Sequence, residues 1–453
     1  LMESLLGYGQ KLMEQRKWKI AKEQFEEILN LDSENTLAQD KLIEIKQLTV
    51  RKSLIAIAFE QIYYRGHVAI WGGPGMGKTY FLKLLTSHKV WQLQGIDPST
   101  PVIVYLNCQE IQPFIPTTFW RKIINLIREK TKDNSILQPI IRDLLKKRKI
   151  TKDNLRYVLK KIGEQNKFLV LLLDDYDATL NSHPRYTQTD IEVFLSECRN
   201  LACNSEEGKY LSMIVTSLRR LNEKGPSLST DRSPWYNHFV FQRLRPLNQN
   251  EVDTLFNVIE MTPALRNGIQ EIAGGNPALL ENAGLILHNK RRSGETITAE
   301  VFARNFVAAT EHFFQDTWQL ANELEQSLLM LIALSKLSGR LQNKRYDLGG
   351  ISIVFSQTER VLIDLEERGV IKRNTEQENT VYLCSSIIME WWVIREIENY
   401  NAETLKDREK IFLSLMSYQQ LEQVTKVIKY LSENKEATKS IVRWVGKLEE
   451  YFA

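Results

Sequence analysis

Eight consecutive residues, Gly72-Gly73-Pro74-Gly75-Met76-Gly77-Lys78-Thr79, combine backbone freedom, one cation and one hydroxyl in a fixed order. Glycines at these spacings let a backbone curl until successive N–H groups face one anion. Lys78 can reach the outer oxygens of a polyphosphate and Thr79 can ligate a divalent cation. A helix opening at this point adds positive potential. A second set, Leu171-Leu172-Leu173-Asp174-Asp175, ends an apolar run in two carboxylates. Asp174 there suits metal holding and Asp175 suits taking a proton from water; a solvated loop start is the other reading of such a pair. Asp177 continues the cluster and reads as a structural cap. The third set is Thr216-Ser217-Leu218-Arg219-Arg220. A hydroxyl there can sense a terminal phosphate, and Arg219 or Arg220 can offset developing charge; surface arginines on a loop are the alternative.

These sets act together only if they share one edge of a sheet, and the surrounding pattern supplies one. His67–Trp71 reads as a short strand running into the glycine loop, with a helix opening at Thr79. Residues 101–106, 168–173 and 211–216 read as three more strands, and 239–241 as a short fifth. The run Phe168–Leu173 is apolar on both faces, as an inner parallel strand should be. A long basic helical stretch is expected from Thr118 to about Gln165. Alternating strands and helices predict an α/β domain whose ligand site lies beyond the carboxyl ends of the strands. The chain is mostly helical past residue 247. Gly274-Gly275-Asn276-Pro277 interrupts helices expected at 264–273 and 278–287, after one expected from Glu251 to Ile259. Residues 325–400 read as helices 326–336 and 357–368 followed by a small hairpin, 370–372 with 380–383, the outline of a winged helix. At the other end, Tyr8, Gly9, Leu12, Ala21, Phe25 and Ile28 fall at helical spacing.

Composition bounds the rest. The chain has 453 residues, 43% hydrophobic and 26% charged, with a formal net charge of +4, an ordinary globular balance that does not by itself argue for nucleic acid. Cys108, Cys198, Cys203 and Cys384 form no CxxC pair and the six histidines are scattered, against a zinc site or disulfide framework. Cys198 and Cys203 are expected as core fillers. No apolar run approaches the roughly 20 residues that span a bilayer, and no signal peptide is evident, so a cytoplasmic location with reduced thiols is expected. The opening Leu1-Met2-Glu3 is not expected to be the native start.

The first 50 residues resemble one tetratricopeptide repeat, with Gly9 and Ala21 where two helices touch, Phe25 in the groove, and Ser33 where that family prefers proline. The larger resemblance, over roughly 65–395, is to the STAND class of P-loop NTPases, switch ATPases related to AAA+ proteins, and within it to bacterial members of the AAA-like or novel STAND type. It rests on the glycine loop, on Asp174-Asp175-Tyr176-Asp177-Ala178 leading to Arg199-Asn200-Leu201-Ala202, and on Ser233-Pro234-Trp235-Tyr236-Asn237. Leu244-Arg245-Pro246-Leu247 with Glu251, Gly275-Asn276-Pro277, and the 365–391 region complete it. The chain departs from the class in two places. Only Arg51-Lys52-Ser53-Leu54 stands where a Gly-Arg-Glu segment is usual. Cys384 and Ser385 stand where some relatives carry a histidine that locks the diphosphate state.

The resemblance implies ATP or ADP with Mg²⁺, and no Asn-Lys-x-Asp segment for reading guanine occurs. The expected nucleotide contacts are Gly72, Gly73, Pro74, Gly75, Met76, Gly77, Lys78, Thr79 and Tyr80, with Pro277 against the base. The expected metal ligands are Thr79 and Asp174. The expected reacting groups are Lys78, Asp175 and Arg219. The expected organisation is a tetratricopeptide-like hairpin (1–50), a P-loop domain with a parallel sheet (51–247), a helical lid (248–324), a winged helix (325–400) and a helical C-terminal segment (401–453). The expected function is a slow, regulated ATPase switch that controls self-association or an effector in bacterial signalling or defence, with no membrane contact and an unknown protein trigger. Two alternatives stand beside it. One is a DNA-associated AAA+ ATPase of the initiator or transposition-regulator type, favoured by Lys146-Lys147-Arg148-Lys149. The other is a nucleotide-binding scaffold without turnover.

Overall fold

The apolar run read as an inner strand, Phe168–Asp174 (β3), is buried along its whole length and is paired on both sides. The computed structural model describes residues 2–14, 18–32, 35–38, 41–42, 50–226, 234–256, 261–292, 298–337, 348, 350–376 and 379–434. The expectations at Ser33, Ser233, Ile259 and 435–453 lie outside the described residues. Contacts divide the chain into two units. The first is Leu1–Gly72 with Gly77–Leu244; the second is Gly73–Met76 with Arg245–Ala453.

In the first unit, His67–Trp71 (β1), Pro101–Asn107 (β2), β3, Leu211–Ser217 (β4) and Phe239–Arg243 (β5) form a parallel sheet in the order β2-β3-β4-β1-β5. The chain leaves β1, runs to the far edge at β2, and walks back through β3 to β4. It then crosses to β5 on the other side of β1. β1, β3 and β4 are buried throughout, whereas the edge strand β2 alternates between buried and half-buried positions over most of its length and β5 is buried only at Phe239. Inner parallel strands are covered on both faces, which is why their sequences read as unbroken apolar runs. Phe114, Phe119, Trp120, Tyr186 and Phe194 build an aromatic cluster within the main core, with ring centroids about 5–6 Å apart. Burying each such ring contributes several kcal/mol at roughly 25 cal/mol per Å².

The stretch 118–165 is not one helix but three: Pro116–Lys130, Leu137–Leu145 and Lys152–Gly163. The first ends at Lys130, and Asn134 opens the second by accepting from the N–H groups of Ile136 and Leu137. Thr151 and Asn154 form a capping box that starts the third. Cys198 is buried as expected, but Cys203 is exposed. It lies in a π turn at Asn200–Asn204 that carries the chain out of the helix Gln188–Arg199. The helices Met2–Glu14 and Trp18–Leu31 pack on each other, and a Cβ at Gly9 would stand 2.7 Å from the Phe25 ring.

The regular elements among the described residues of the second unit are helices and one hairpin. Pro263–Ala273 and Pro277–Arg292 flank the Gly274-Gly275-Asn276 turn, and Ala299–Leu320 follows. Glu323–Leu337 is buried nearly all round, as a central helix must be. The helix expected at 357–368 runs over Glu359–Glu367 and is preceded by a separate one, Ile351–Gln357; between them Thr358 turns its hydroxyl back to the Val354 carbonyl. Ile371–Glu376 (β6) pairs antiparallel with Asn379–Cys384 (β7), and Ile387–Glu398 packs behind with Trp392 buried. No helix among the described residues is long and apolar enough to cross a membrane.

Candidate functional site

Because all five strands run the same way, β1, β3 and β4 end on one edge. The glycine loop follows β1 directly, and the Gly72 N–H donates to the Ser217 carbonyl at the end of β4 (3.2 Å). Gly75 (φ 74°) and Gly77 (φ 84°) take left-handed backbone conformations that a side chain would oppose. Gly77 caps the helix Lys78–Leu84. Lys78 is buried, and its Nζ donates to the Gly72 carbonyl at 2.7 Å. Burial lowers its pKa, and the charges of Asp175, Asp177 and Asp174 oppose that shift. Thr79 is half-buried and Tyr80 is exposed.

The acids at the end of β3 are organised by their neighbours. Asp174 is fully buried; its Oδ1 accepts the Thr216 hydroxyl (2.5 Å) and its Oδ2 accepts the Tyr105 hydroxyl (2.9 Å). Asp175 holds a left-handed backbone (φ 47°, ψ 46°), which costs a non-glycine residue roughly 1–2 kcal/mol. Such an outlier persists where surrounding structure imposes it, and it turns the chain so that two adjacent acids diverge. Asn107 Nδ2 donates to Asp175 Oδ2 (3.1 Å). Burial and then the Asp174 charge push the Asp175 pKa up, while Asn107 and Lys78 pull it down. Asp177 accepts from the Leu218 N–H (3.3 Å), pinning the segment after β4 to the acidic turn, a cap-like role as expected.

Tyr105 and Asn107 were not singled out in the sequence. Both lie toward the carboxyl end of β2, in register with Leu172 and Asp174. Reading every strand end for polar residues, not only the acidic one, would have found them. Of the two arginines after β4, Arg220 lies with its guanidinium 4.9 Å over the Trp71 ring and 5.6 Å over Phe241, a cation–π seat that fixes it on the sheet edge. The Arg219 carbonyl accepts the Ser217 hydroxyl. Two segments that carried the sequence resemblance also meet: Arg199 Nε donates to Asn237 Oδ1 at 3.1 Å.

The tip of the glycine loop, Gly73–Met76, groups with the second unit. Asn276 Nδ2 donates to the Pro74 carbonyl (2.9 Å), and the Ala278 N–H donates to the Gly75 carbonyl (3.1 Å). Pro277 opens the helix that follows, but the flanking Asn276 and Ala278 make these contacts. A Cβ at Gly73 would stand 2.4 Å from the Arg368 carbonyl, and one at Gly369 would stand 2.3 Å from Met76 Cε. Arg368 is itself buried and ion-paired with Glu325 (2.7 Å) and Asp364 (2.9 Å). Where a locking histidine is absent, Ser386 donates to the Ile272 carbonyl and the Ser385 carbonyl lies against Gly274.

The donor set fits a magnesium ion held by few protein ligands. Each Asp174 oxygen has spent one lone pair on a hydroxyl and keeps further acceptor capacity. Among the described residues, no group of three or more His, Cys, Asp or Glu side chains converges as a metal cage. Mg²⁺ takes one or two protein oxygens and completes its shell from phosphate and water, a demand that the acceptor capacity left on Asp174 can meet.

No protein-family model matches the chain, and no curated protein matches it. Solved structures similar to it include the Aeropyrum pernix ORC2 protein in its ADPNP–ADP complexes, at 15% identity and a TM-score of 0.48, covering 86% of this chain and 96% of that one. The Walker-type ATPase PABY2304 of Pyrococcus abyssi matches at 15% identity and 0.48, covering 76% and 95%. The Aeropyrum pernix ORC1 protein in complex with DNA matches at 12% and 0.39, covering 76% and 92%. The glycine loop between β1 and its helix, the parallel sheet and the acids beyond β3 together make the first unit a P-loop NTPase fold.

Proposed function

We propose that the chain is an ATP-binding, slowly hydrolysing switch whose nucleotide state sets the packing of its second unit and, through it, self-association or an effector. The observation that carries this is the bonding of the loop tip: Pro74 and Gly75 are held by Asn276 and Ala278, and Gly73 lies against Arg368. A ligand shifts a conformational equilibrium only by interacting differently with its states. A polyphosphate that reshapes Gly73–Met76 meets this condition, because Pro74 and Gly75 bond the turn at 276–278 and Gly73 and Met76 lie close against 368–369.

In this reading Gly72 to Tyr80 bind the nucleotide, with Pro277 toward the base. Thr79 and Asp174 hold Mg²⁺, which supplies charge neutralisation at the phosphate oxygens. Lys78 offsets charge on the β- and γ-phosphates. Asp175 takes a proton from the water that adds to the γ-phosphorus as the bond to the bridging oxygen breaks, giving ADP and phosphate. Arg219 or Arg220 offsets charge at the sheet edge. The helices and hairpin over 325–400 serve as a winged helix, 248–324 as a lid, and the N-terminal hairpin as a tetratricopeptide-like sensor. The resemblance to the STAND class supports a place in bacterial signalling or defence. Mass measurement of the particle with ADP, with ATP and with a non-hydrolysable analogue tests the switch. Triphosphate-driven assembly is expected; an unchanged mass in all three states counts against it. Phosphate release that is equal at background level in wild type and Asp175→Asn leaves a scaffold without turnover.

One observation favours a second reading, an ATPase associated with DNA. Arg121 donates to the carbonyls of Leu145 (2.7 Å), Lys147 (2.5 Å) and Arg148 (3.2 Å), which holds Lys146, Lys147, Arg148 and Lys149 in an exposed basic turn. Binding to duplex DNA that weakens steeply with salt is the expected signature, and its absence at low salt removes this reading.

A further inference from the structure

We propose that Thr216 is a positioning residue for ATP hydrolysis, whose single hydroxyl ties together the two acids at the end of β3, Asp174 and Asp175. The sheet order places β4 directly beside β3, so Thr216, at the penultimate position of β4, faces both. Its Oγ1 stands 2.5 Å from Asp174 Oδ1 and 3.1 Å from the Asp175 backbone nitrogen. A hydroxyl has one proton and two lone pairs. The Asp175 N–H can only donate, so Thr216 accepts there, and its own proton goes to the Asp174 carboxylate. The hydroxyl therefore has no proton left to offer a γ-phosphate. Threonine at this strand end, which from sequence alone could have sensed phosphate, is committed to the acids.

Two consequences follow from that geometry. Thr216 seats Asp174 from one side while Tyr105 seats it from the other. It also anchors the backbone of Asp175 at the point where that residue enters its left-handed conformation. The Leu218 N–H bond to Asp177 extends the same connection two residues further, so the end of β4 acts as a splint for residues 174–177. Thr216 is fully buried, so water cannot replace the hydroxyl when it is removed.

The proposal rests on the ATPase reading, and its test separates the two. Thr216→Val keeps the shape and removes the hydroxyl; Thr216→Ser keeps the hydroxyl; Thr216→Ala is the second hydroxyl-free variant should valine prevent folding. Each full-length protein is assayed for kcat and KM with ATP, and for the gain in affinity for a fluorescent ATP analogue on adding Mg²⁺. We expect kcat of Thr216→Val to fall about tenfold or more, the scale of one lost hydrogen bond to a charged group, with KM changed less than about threefold. Thr216→Ser recovers most of the rate, and the Mg²⁺-dependent gain shrinks in valine and alanine but not in serine. A raised KM with unchanged kcat would mean that Thr216 binds the nucleotide directly, and it overturns the proposal. So does a wild-type rate together with a wild-type Mg²⁺ gain in the hydroxyl-free variants. If wild type itself releases no phosphate, the ATPase reading and the catalytic part of the proposal fall together, and the Mg²⁺ titration decides only whether Thr216 seats Asp174: equal gains overturn that role, and a loss specific to valine and alanine upholds it.

Discussion

Replacing Gly73 by alanine tests the contact on which the switch reading depends. Gly73 does not adopt a positive φ, so alanine can take its backbone conformation, and the whole cost is steric. The new Cβ would stand 2.4 Å from the Arg368 carbonyl oxygen, against about 3.4 Å for ordinary contact, so backbone must move by roughly 1 Å. The Arg368 side gives way poorly. Its N–H donates to the Asp364 carbonyl (2.9 Å), and its guanidinium is paired with the buried carboxylate of Glu325 and the half-buried one of Asp364. Overpacking of this kind costs about 1–3 kcal/mol. For a body of roughly 200 residues that lowers the melting temperature by about 2–4 °C per kcal/mol. Calorimetry of the nucleotide-free protein should therefore show the second unit melting about 2–12 °C lower, with faster protease cleavage near Arg368–Gly369. Nucleotide affinity should hold or rise by up to about tenfold, because the competing contact is weakened. Unchanged melting and unchanged cleavage would refute the contact. Lost nucleotide binding with unchanged melting would show that the Cβ meets phosphate instead.

Lys78→Ala removes the only cation that the glycine motif places at the loop, and affinity for a fluorescent ATP analogue should fall at least tenfold, the order of a lost charge-assisted hydrogen bond; equal affinities would exclude this lysine from the phosphate site. Acid should weaken the first unit through His67 and His238, whose rings pack edge to face at 5.5 Å. Burial lowers their pKa values to about 4 and about 3 from 6.5, so the unfolded chain takes up protons first. Stability is fully present above pH 6.5 and is lost as pH falls toward 4, by up to ~1.4 kcal/mol per pH unit for each ring. Denaturant melts at pH 7 and pH 5 should show this loss, and His67→Phe should flatten the slope; a pH-independent midpoint would contradict it.

Parts of this arrangement were legible because they are written in adjacent residues. An unbroken apolar run marked β3 as an inner strand, and the spacing of glycines, lysine and threonine marked the loop. Asp174 and Asp175 stood out because an apolar strand ended in charge. Helix breaks within 118–165 were harder to read, since Asn134 and Thr151 act through caps that compete with a continuous basic amphipathic pattern. The exposure of Cys203 was misread because it depends on where the π turn carries the chain. Arg220 was not separable from Arg219 until the rings of Trp71 and Phe241 fixed which one is seated on the sheet edge.

Local sequence thus determined the elements and the chemistry at each strand end, because helix and strand periodicities and glycine conformations are properties of neighbouring residues. It carried no signal for the order of the strands, since one buried parallel strand pairs about as well with another apolar run as with its true neighbour. Tertiary structure decided that order, and with it the bonds of Thr216 to both acids, of Tyr105 to Asp174 and of Asn107 to Asp175. It likewise decided that Gly73 lies against Arg368, nearly 300 residues on, where the two backbones come so close that only glycine fits at that position.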